Sequence, residues 1–368
     1  MIAAHQPVQR PRDARLLVVD SRGRINQAPR SRLLDFLRPG DVVIANDAAT
    51  LPASLQGVHL GSGAPIEVRL AGGSSLAATG VHRFSAVVFG SGDFRTRTED
   101  RPLPPNLKAG DHLAFGELSA TIETLLDHPR FVSLRFDGSS AAVWEGIARH
   151  GRPIQYAHVR TPLALWDVWT PIAALPAAFE PPSAGFALDW GMIRAMRERG
   201  MTFATMTLAA GISSTGDADL DRRLPLDEPY RIPETTASAI SNRPAGGRIV
   251  AIGTTVVRGL EHAADLHGVV RAGAAIADQR VGPTSRLRVV DAILSGTHEP
   301  ESSHYQLLRA FAADATLANA HATLELRGFR THEFGDSMLI EKHKRSRSGS
   351  SDETVDLEQH MDRVATAA

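Results

Sequence analysis

Hydrophobic positions divide the chain into three textures. From Leu16 to Asp20 and from Asp41 to Ala45 short apolar, β-branched runs predict two buried strands. A helix-like stretch, Ser31–Leu37, and a Pro39-Gly40 turn lie between them. Over residues 56–148 the pattern becomes short alternating runs, Ile66–Leu70, Ala86–Phe89, Ala120–Leu125 and Phe131–Phe136, separated by Gly, Ser, Asp and Pro. That texture predicts a small antiparallel barrel or sandwich.

After Gly151 strands alternate with amphipathic helices. The spacing predicts a helix over Asp189–Arg199 stopped by Gly200, a strand over Thr202–Leu208, and a helix starting near Pro233-Glu234. It then predicts a strand Arg248–Ile252 leading into a helix, and a strand Leu287–Ile293 followed by a helix Ser303–Ala312. Repeated alternation implies an α/β layer with mainly parallel strands. The fold class expected is α/β: a discontinuous α/β domain, 1–55 plus 149–342, an inserted small antiparallel β-barrel domain, 56–148, and a polar, mobile tail, 343–368.

Composition narrows the chemistry. With 40 Lys+Arg against 41 Asp+Glu, 43% hydrophobic residues and 22% charged residues, the 368-residue chain reads as globular, and its charge points to no partner. The first 38 residues carry eight arginines and three acids, which suits either phosphate contact or a solvated arginine-rich face. Zero cysteines exclude disulfides, thiolate nucleophiles and cysteine metal sites. No basic-then-apolar leader and no apolar run of roughly 18 residues is present, so a soluble, cytoplasmic protein is expected, with no membrane partner.

Several loops can carry chemistry. Gly253-Thr254-Thr255 joins a strand to a helix, where free N–H groups favour an anion or ribose oxygen, and Arg258 follows one turn on; the same residues also make an ordinary capped helix start. His298 lies in a loop before a helix whose Ser303 and Gln306 have capping-box spacing, and it suits proton exchange near neutral pH or simply holds the loop. Pro182-Ser183-Ala184-Gly185 allows close ligand approach or forms a rigid turn. Asn46 and Asp47 end a strand, where α/β sheets bind ligands, and Gly335-Asp336 is either a turn or an acidic site. G-x-S-x-G, P-loop, G-x-G-x-x-G and H-E-x-x-H motifs are absent from the sequence.

In order, these segments resemble the S-adenosylmethionine:tRNA ribosyltransferase-isomerase family of queuosine biosynthesis over residues 10–342. The matching pieces are Arg15-Leu16-Leu17, Leu37-Arg38-Pro39-Gly40-Asp41, Asn46-Asp47 with Leu51-Pro52-Ala53, and Pro182-Ser183-Ala184-Gly185 for P-T-A-G. Gly253-Thr254-Thr255-Val256-Val257-Arg258-Gly259-Leu260-Glu261 is similar to G-T-T-S-V-R-T-L-E. Val290-Asp291-Ala292, His298 with Pro300 and Ser302, and Phe334 through Ile340 complete the series.

The resemblance implies an α/β domain with an inserted antiparallel barrel, S-adenosylmethionine as ribosyl-donating substrate, tRNA as partner, no metal and a monomer. It implies transfer and isomerisation of the ribosyl group to 7-aminomethyl-7-deazaguanine at the tRNA wobble position, giving epoxyqueuosine and releasing adenine and methionine. It assigns proton transfer to His298 or Asp47. Substrate contacts fall to Asn46, Pro182, Ser183, Ala184, Gly185, Gly253, Thr254, Thr255, Arg258 and Asp336. The chain departs from the pattern where Ala187 and Ala209 replace family histidines, Ala48, Ala49 and Ser54 replace polar or basic residues, and Leu226 falls at the M-H-S-E histidine. A divergent paralogue, using another acceptor or binding nucleic acid without catalysis, is the alternative.

Overall fold

The computed structural model describes residues 1–343, so the tail expected over 343–368 lies, His343 apart, outside the described residues. Val42–Asn46 and Ile249–Ile252 are short apolar runs in which every residue is buried, as strands covered on both faces require. They pair in parallel with each other, and with Thr202–Leu208 and Ala292–Gly296 on either side. Five further strands extend this core into a nine-stranded sheet. Glu228–Ile232 and Gly273–Ala277 add to one edge. Ser337–Glu341, Arg15–Val19 and Ile25–Pro29 add to the other.

The parallel arrangement expected from the sequence therefore holds for the four central strands and for Arg15–Val19 against Ser337–Glu341, while the remaining pairings are antiparallel, and the sheet is mixed. Hairpins at the edges explain the difference: Gly23, at φ +79°, lets Arg15–Val19 fold straight back onto Ile25–Pro29. Alternation along the central strands then fixes which helix covers which face. Val42, Ile44, Met206 and Leu208 join the core that contains Val256 and Leu260 of helix Thr254–His267. Val43, Ala45, Val250 and Ile252 join the core that contains Ile193 and Met196 of helix Trp190–Glu198.

Two predicted elements shift. The strand expected over Leu287–Ile293 starts only at Ala292, because the N–H groups of Arg288, Val289 and Val290 are taken by the buried Glu261 carboxylate at 2.7–3.0 Å. Helix Ser303–Leu308 is shorter than expected and is capped by Ser302, whose hydroxyl accepts the Tyr305 N–H.

The barrel closes through six antiparallel strands, Ser54–His59, Ala64–Gly73, Arg83–Phe89, Phe131–Phe136, Leu118–His128 and His112–Phe115. Closure is made where Val58 and His59 meet Ala114 and Leu113. Gly57 permits it, since a Cβ there would lie 2.3 Å from the Ala114 carbonyl oxygen. Leu55, Val68, Val88, Phe115, Ile122 and Phe136 fill the interior. Among the described residues no helix is long and apolar enough to cross a membrane.

Candidate functional site

The central parallel strands all end on one edge, and the segments that leave them form a cleft there. Ile249–Ile252 runs into Gly253, whose φ of +96° with ψ of 157° is open to glycine and strained for other residues. A Cβ on Gly253 would also come within 3.4 Å of the Ala184 Cβ, so the 182–184 turn and the start of helix Thr254–His267 close up against each other. Pro182, Ser183, Ala184, Gly253, Thr254, Thr255, Arg258 and His298 line this first pocket together. Gly185 sits on the same turn but packs on the Thr170 side chain.

Three other predicted residues are placed elsewhere. Asn46 works inside the sheet: its Oδ1 accepts the Leu208 and Ala48 N–H groups at 3.0 and 3.1 Å, and its Nδ2 donates to the Leu208 carbonyl at 2.9 Å and to Thr255 at 3.3 Å. With every polar atom engaged, it ties the ends of two parallel strands to the helix start. The Asp47 carboxylate is held by the Thr205 and Thr207 hydroxyls at 2.8 and 2.6 Å and does not line the cleft. Asp336 is fully buried between Arg15 and Arg330, and it too stands outside the cleft.

Arg258 does reach the wall, although its guanidinium is saturated by protein. It pairs with Glu228 and donates to the carbonyls of Leu226, Ala277 and Gln279 at 3.0–3.3 Å. Burial pushes the Glu228 carboxyl above its usual range, while Arg258 and the Gly211 N–H, 2.8 Å away, pull the other way.

His298 is half-buried, its Nε2 2.9 Å from the Ser295 hydroxyl, and its ring stacks on His304 at 4.7 Å between centroids. Burial, reinforced by the neighbouring His304 and His332, holds the His298 imidazole well below the ordinary histidine range, so it is neutral at pH 7. In the neutral tautomer whose Nε2–H donates to the Ser295 hydroxyl, Nδ1 is the nitrogen that accepts a proton.

Beyond His298 the cleft widens into a chamber of about 790 Å³, within the roughly 300–1,000 Å³ usual for small-molecule sites. Ser183 and His298 line it too, and the rest of its polar wall is not marked in the sequence. Tyr156 donates to Glu180 at 2.5 Å, and burial raises the Glu180 carboxyl to about 7. His158 donates to Glu333 at 3.0 Å and stacks on His332 at 4.1 Å. These residues stand alone in the sequence, without motif spacing, and only the fold brings them together.

The departures from the family pattern are also explained by position. Ala187 and Ala209 are buried in apolar cores, and Ser54 donates to the buried Glu67 on the outer face of the barrel wall. Among the described residues no group of three or more histidines, aspartates or glutamates has metal-holding geometry.

Comparison with known proteins gives this edge its context. The family model for queuosine biosynthesis proteins matches residues 1–340. The chain belongs to the queuosine biosynthesis family. A curated relative from Sorangium cellulosum, named S-adenosylmethionine:tRNA ribosyltransferase-isomerase, is 32% identical over 372 residues, covering 92% of this chain and 95% of its own. One from Trichlorobacter lovleyi with the same name is 29% identical, covering 92% and 96%. A crystal structure of S-adenosylmethionine tRNA ribosyltransferase from Thermotoga maritima is similar with a TM-score of 0.49, 25% identity and coverage of 92% and 96%. Of the segments of this chain that resemble the family in sequence, the 182–184 turn, the 253–258 helix start and the His298 loop form the first pocket, whereas those at 15–17, 37–41, 46–53, 290–292 and 334–340 do not line it.

Proposed function

We propose that this chain transfers and isomerises the ribosyl moiety of S-adenosylmethionine onto the aminomethyl group of 7-aminomethyl-7-deazaguanine at the tRNA wobble position, releasing adenine and methionine and giving epoxyqueuosine in tRNA. The observation that carries the reading is the meeting of Pro182–Ala184, Gly253–Thr255, Arg258 and His298 in one pocket, from segments far apart in the chain.

The pocket's chemistry suits a sulfonium substrate. Glu180 supplies a carboxyl for a cationic sulfur, and the N-terminus of the 14-residue helix Thr254–His267 supplies N–H groups and hydroxyls for ribosyl or carboxylate oxygens. Gly253 lets those oxygens approach the backbone. His298, neutral at pH 7, takes the proton beside the sulfonium at Nδ1 while Ser295 fixes Nε2. Arg258 acts by holding Glu228 and the pocket wall, its donors being already occupied.

The test is incubation of the protein with S-adenosylmethionine and tRNA bearing the aminomethyl base, followed by mass spectrometry of free adenine and of digested tRNA. Adenine together with epoxyqueuosine is the expected result. Neither product, with no S-adenosylmethionine binding, supports instead the second reading, a paralogue without this activity, which the apolar burial of Ala187 and Ala209 favours.

A further inference from the structure

The arginine-rich start of the chain contains a stretch that neither the pocket nor the chamber uses. Ala4 packs with Val159, Leu163, Val168, Phe186 and Phe334 in a small core of its own, apart from the two that flank the nine-stranded sheet. Three members of this core lie one or two positions along the chain from the cleft. Val159 follows His158 and Phe334 follows Glu333, both of the chamber wall, and Phe186 follows the 182–184 turn of the first pocket.

The surface around this core carries three of the four tryptophans of the chain. Trp166 is 76% exposed, Trp190 66% and Trp169 42%. Two consecutive residues of the N-terminal segment tie their backbones together. Gln9 Nε2 donates to the carbonyls of Trp166 and Trp169 at 3.3 and 2.9 Å, and Arg10 donates to the carbonyl of Leu188, two positions before Trp190, at 3.1 Å. An aromatic side chain can bury roughly 150–250 Å², so three indoles left in water on one surface mark a contact face.

The charge around them is positive. Arg10, Arg12 and Arg160 are exposed, and the acids of the same stretches are already engaged: Asp13 by Arg330, and Asp167 and Asp189 by the N–H groups of Ala164 and Met192. Exposed rings among guanidiniums offer stacking to unpaired nucleobases and charge to their phosphates. A lipid or protein face would call for a continuous apolar patch, and Gln9 and Arg10 interrupt this one between Trp166 and Trp190.

We propose that this surface docks single-stranded RNA, with unpaired bases stacked on Trp166 and Trp190 and their phosphates facing Arg12 and Arg160. It lies beside the cleft and outside it, so these residues position RNA and take no part in bond making. The identity of the RNA rests on the ribosyl-transfer reading, in which the stacked bases are loop neighbours of the one held in the cleft.

Binding by the full chain without S-adenosylmethionine tests this, with three probes: an unmodified RNA stem-loop, a blunt RNA duplex of the same length, and phosphatidylglycerol vesicles. Anisotropy of fluorescein-labelled RNA gives affinity, and quenching of tryptophan emission reports contact at the rings. The stem-loop should quench, and the duplex should bind at least about tenfold more weakly. Trp166→Ala and Trp190→Ala, exposed changes that should leave the thermal melt unaltered, should each weaken stem-loop binding about tenfold. Arg12→Ser with Arg160→Ser should flatten the slope of log affinity against log salt by about 1.4, at about 0.7 for each single-strand phosphate contact. In the transfer assay the tryptophan variants should raise KM for tRNA and keep kcat, a split that a merely structural role does not produce. Stem-loop affinity unchanged in both tryptophan variants, or quenching by vesicles with none by RNA, overturns the inference. Stem-loop binding through the tryptophans without adenine release would keep this surface and remove ribosyl transfer, whereas epoxyqueuosine formed with native KM in both variants would do the reverse.

Discussion

Arg258 and Glu228 form a buried ion pair in the cleft wall, and the same Glu228 accepts the Gly211 N–H at 2.8 Å, so one carboxylate joins the helix that begins at Thr254 to the loop after Thr202–Leu208. Removing one partner strands a charge among apolar groups. Arg258→Met should lower unfolding free energy by about 3–5 kcal/mol, measured by urea denaturation, whereas Arg258→Met with Glu228→Leu should recover most of the loss.

Glu180 should impose the opposite kind of effect. Its folded value of about 7 lies above its ordinary 4.5, so the folded chain holds the proton more tightly than the unfolded one. Its contribution is present in acid and is lost as pH rises from 4.5 through 7, by up to about 3 kcal/mol. Glu180→Gln should therefore stabilise the protein at pH 8 and leave it nearly unchanged at pH 4, read as the shift in urea midpoint at each pH.

His298 and His304 move stability the other way. Both are held below the ordinary histidine value by burial, and in the range between the ordinary and the lowered values the unfolded chain binds more protons. Stability should fall as pH drops below about 6.5, and His298→Gln with His304→Gln should flatten that slope. Denaturant midpoints between pH 7 and pH 5 provide the check, and an unchanged slope in the double variant would contradict the assignment.

Gly253→Ala places a side chain at φ +96° and 3.4 Å from the Ala184 Cβ. A loss of about 1–3 kcal/mol in stability is expected, together with weaker S-adenosylmethionine binding by equilibrium dialysis, because the 182–184 turn must back away from the helix start.

The parts of the fold that show in the sequence are those where local pattern and final environment agree. Thr202–Leu208 and Phe131–Phe136 appear as strands over the full predicted spans, and Asp189 caps its helix as its position suggests. Ser54–His59 is hidden because Gly57 interrupts its apolar rhythm, and the reason for the glycine lies across the barrel at Ala114. The run at 287–290 has the composition of a strand, yet Glu261, from a helix, captures its N–H groups first. In the cleft, Gly253–Thr255 and Pro182–Ala184 are visible because backbone geometry needs particular small residues in consecutive order. The pairing of His158 with Glu333 spans 175 positions and leaves no local trace.

The order in which these pieces leave the ribosome follows from the Asn46 tie. The six barrel strands are drawn from one contiguous stretch between Ser54 and Phe136, so their partners emerge soon after one another. Val42–Asn46, the first made of the four central parallel strands, must wait for Leu208, 162 positions after Asn46, before its end is fastened, and then for Ile249–Ile252. At roughly 5–20 residues per second that delay is about 8–30 s, during which an apolar strand has no sheet neighbour while the barrel can already close beside it. Biogenesis of this protein is thus a matter of sheltering one early strand, and the inserted barrel is the portion of nascent chain available to do so.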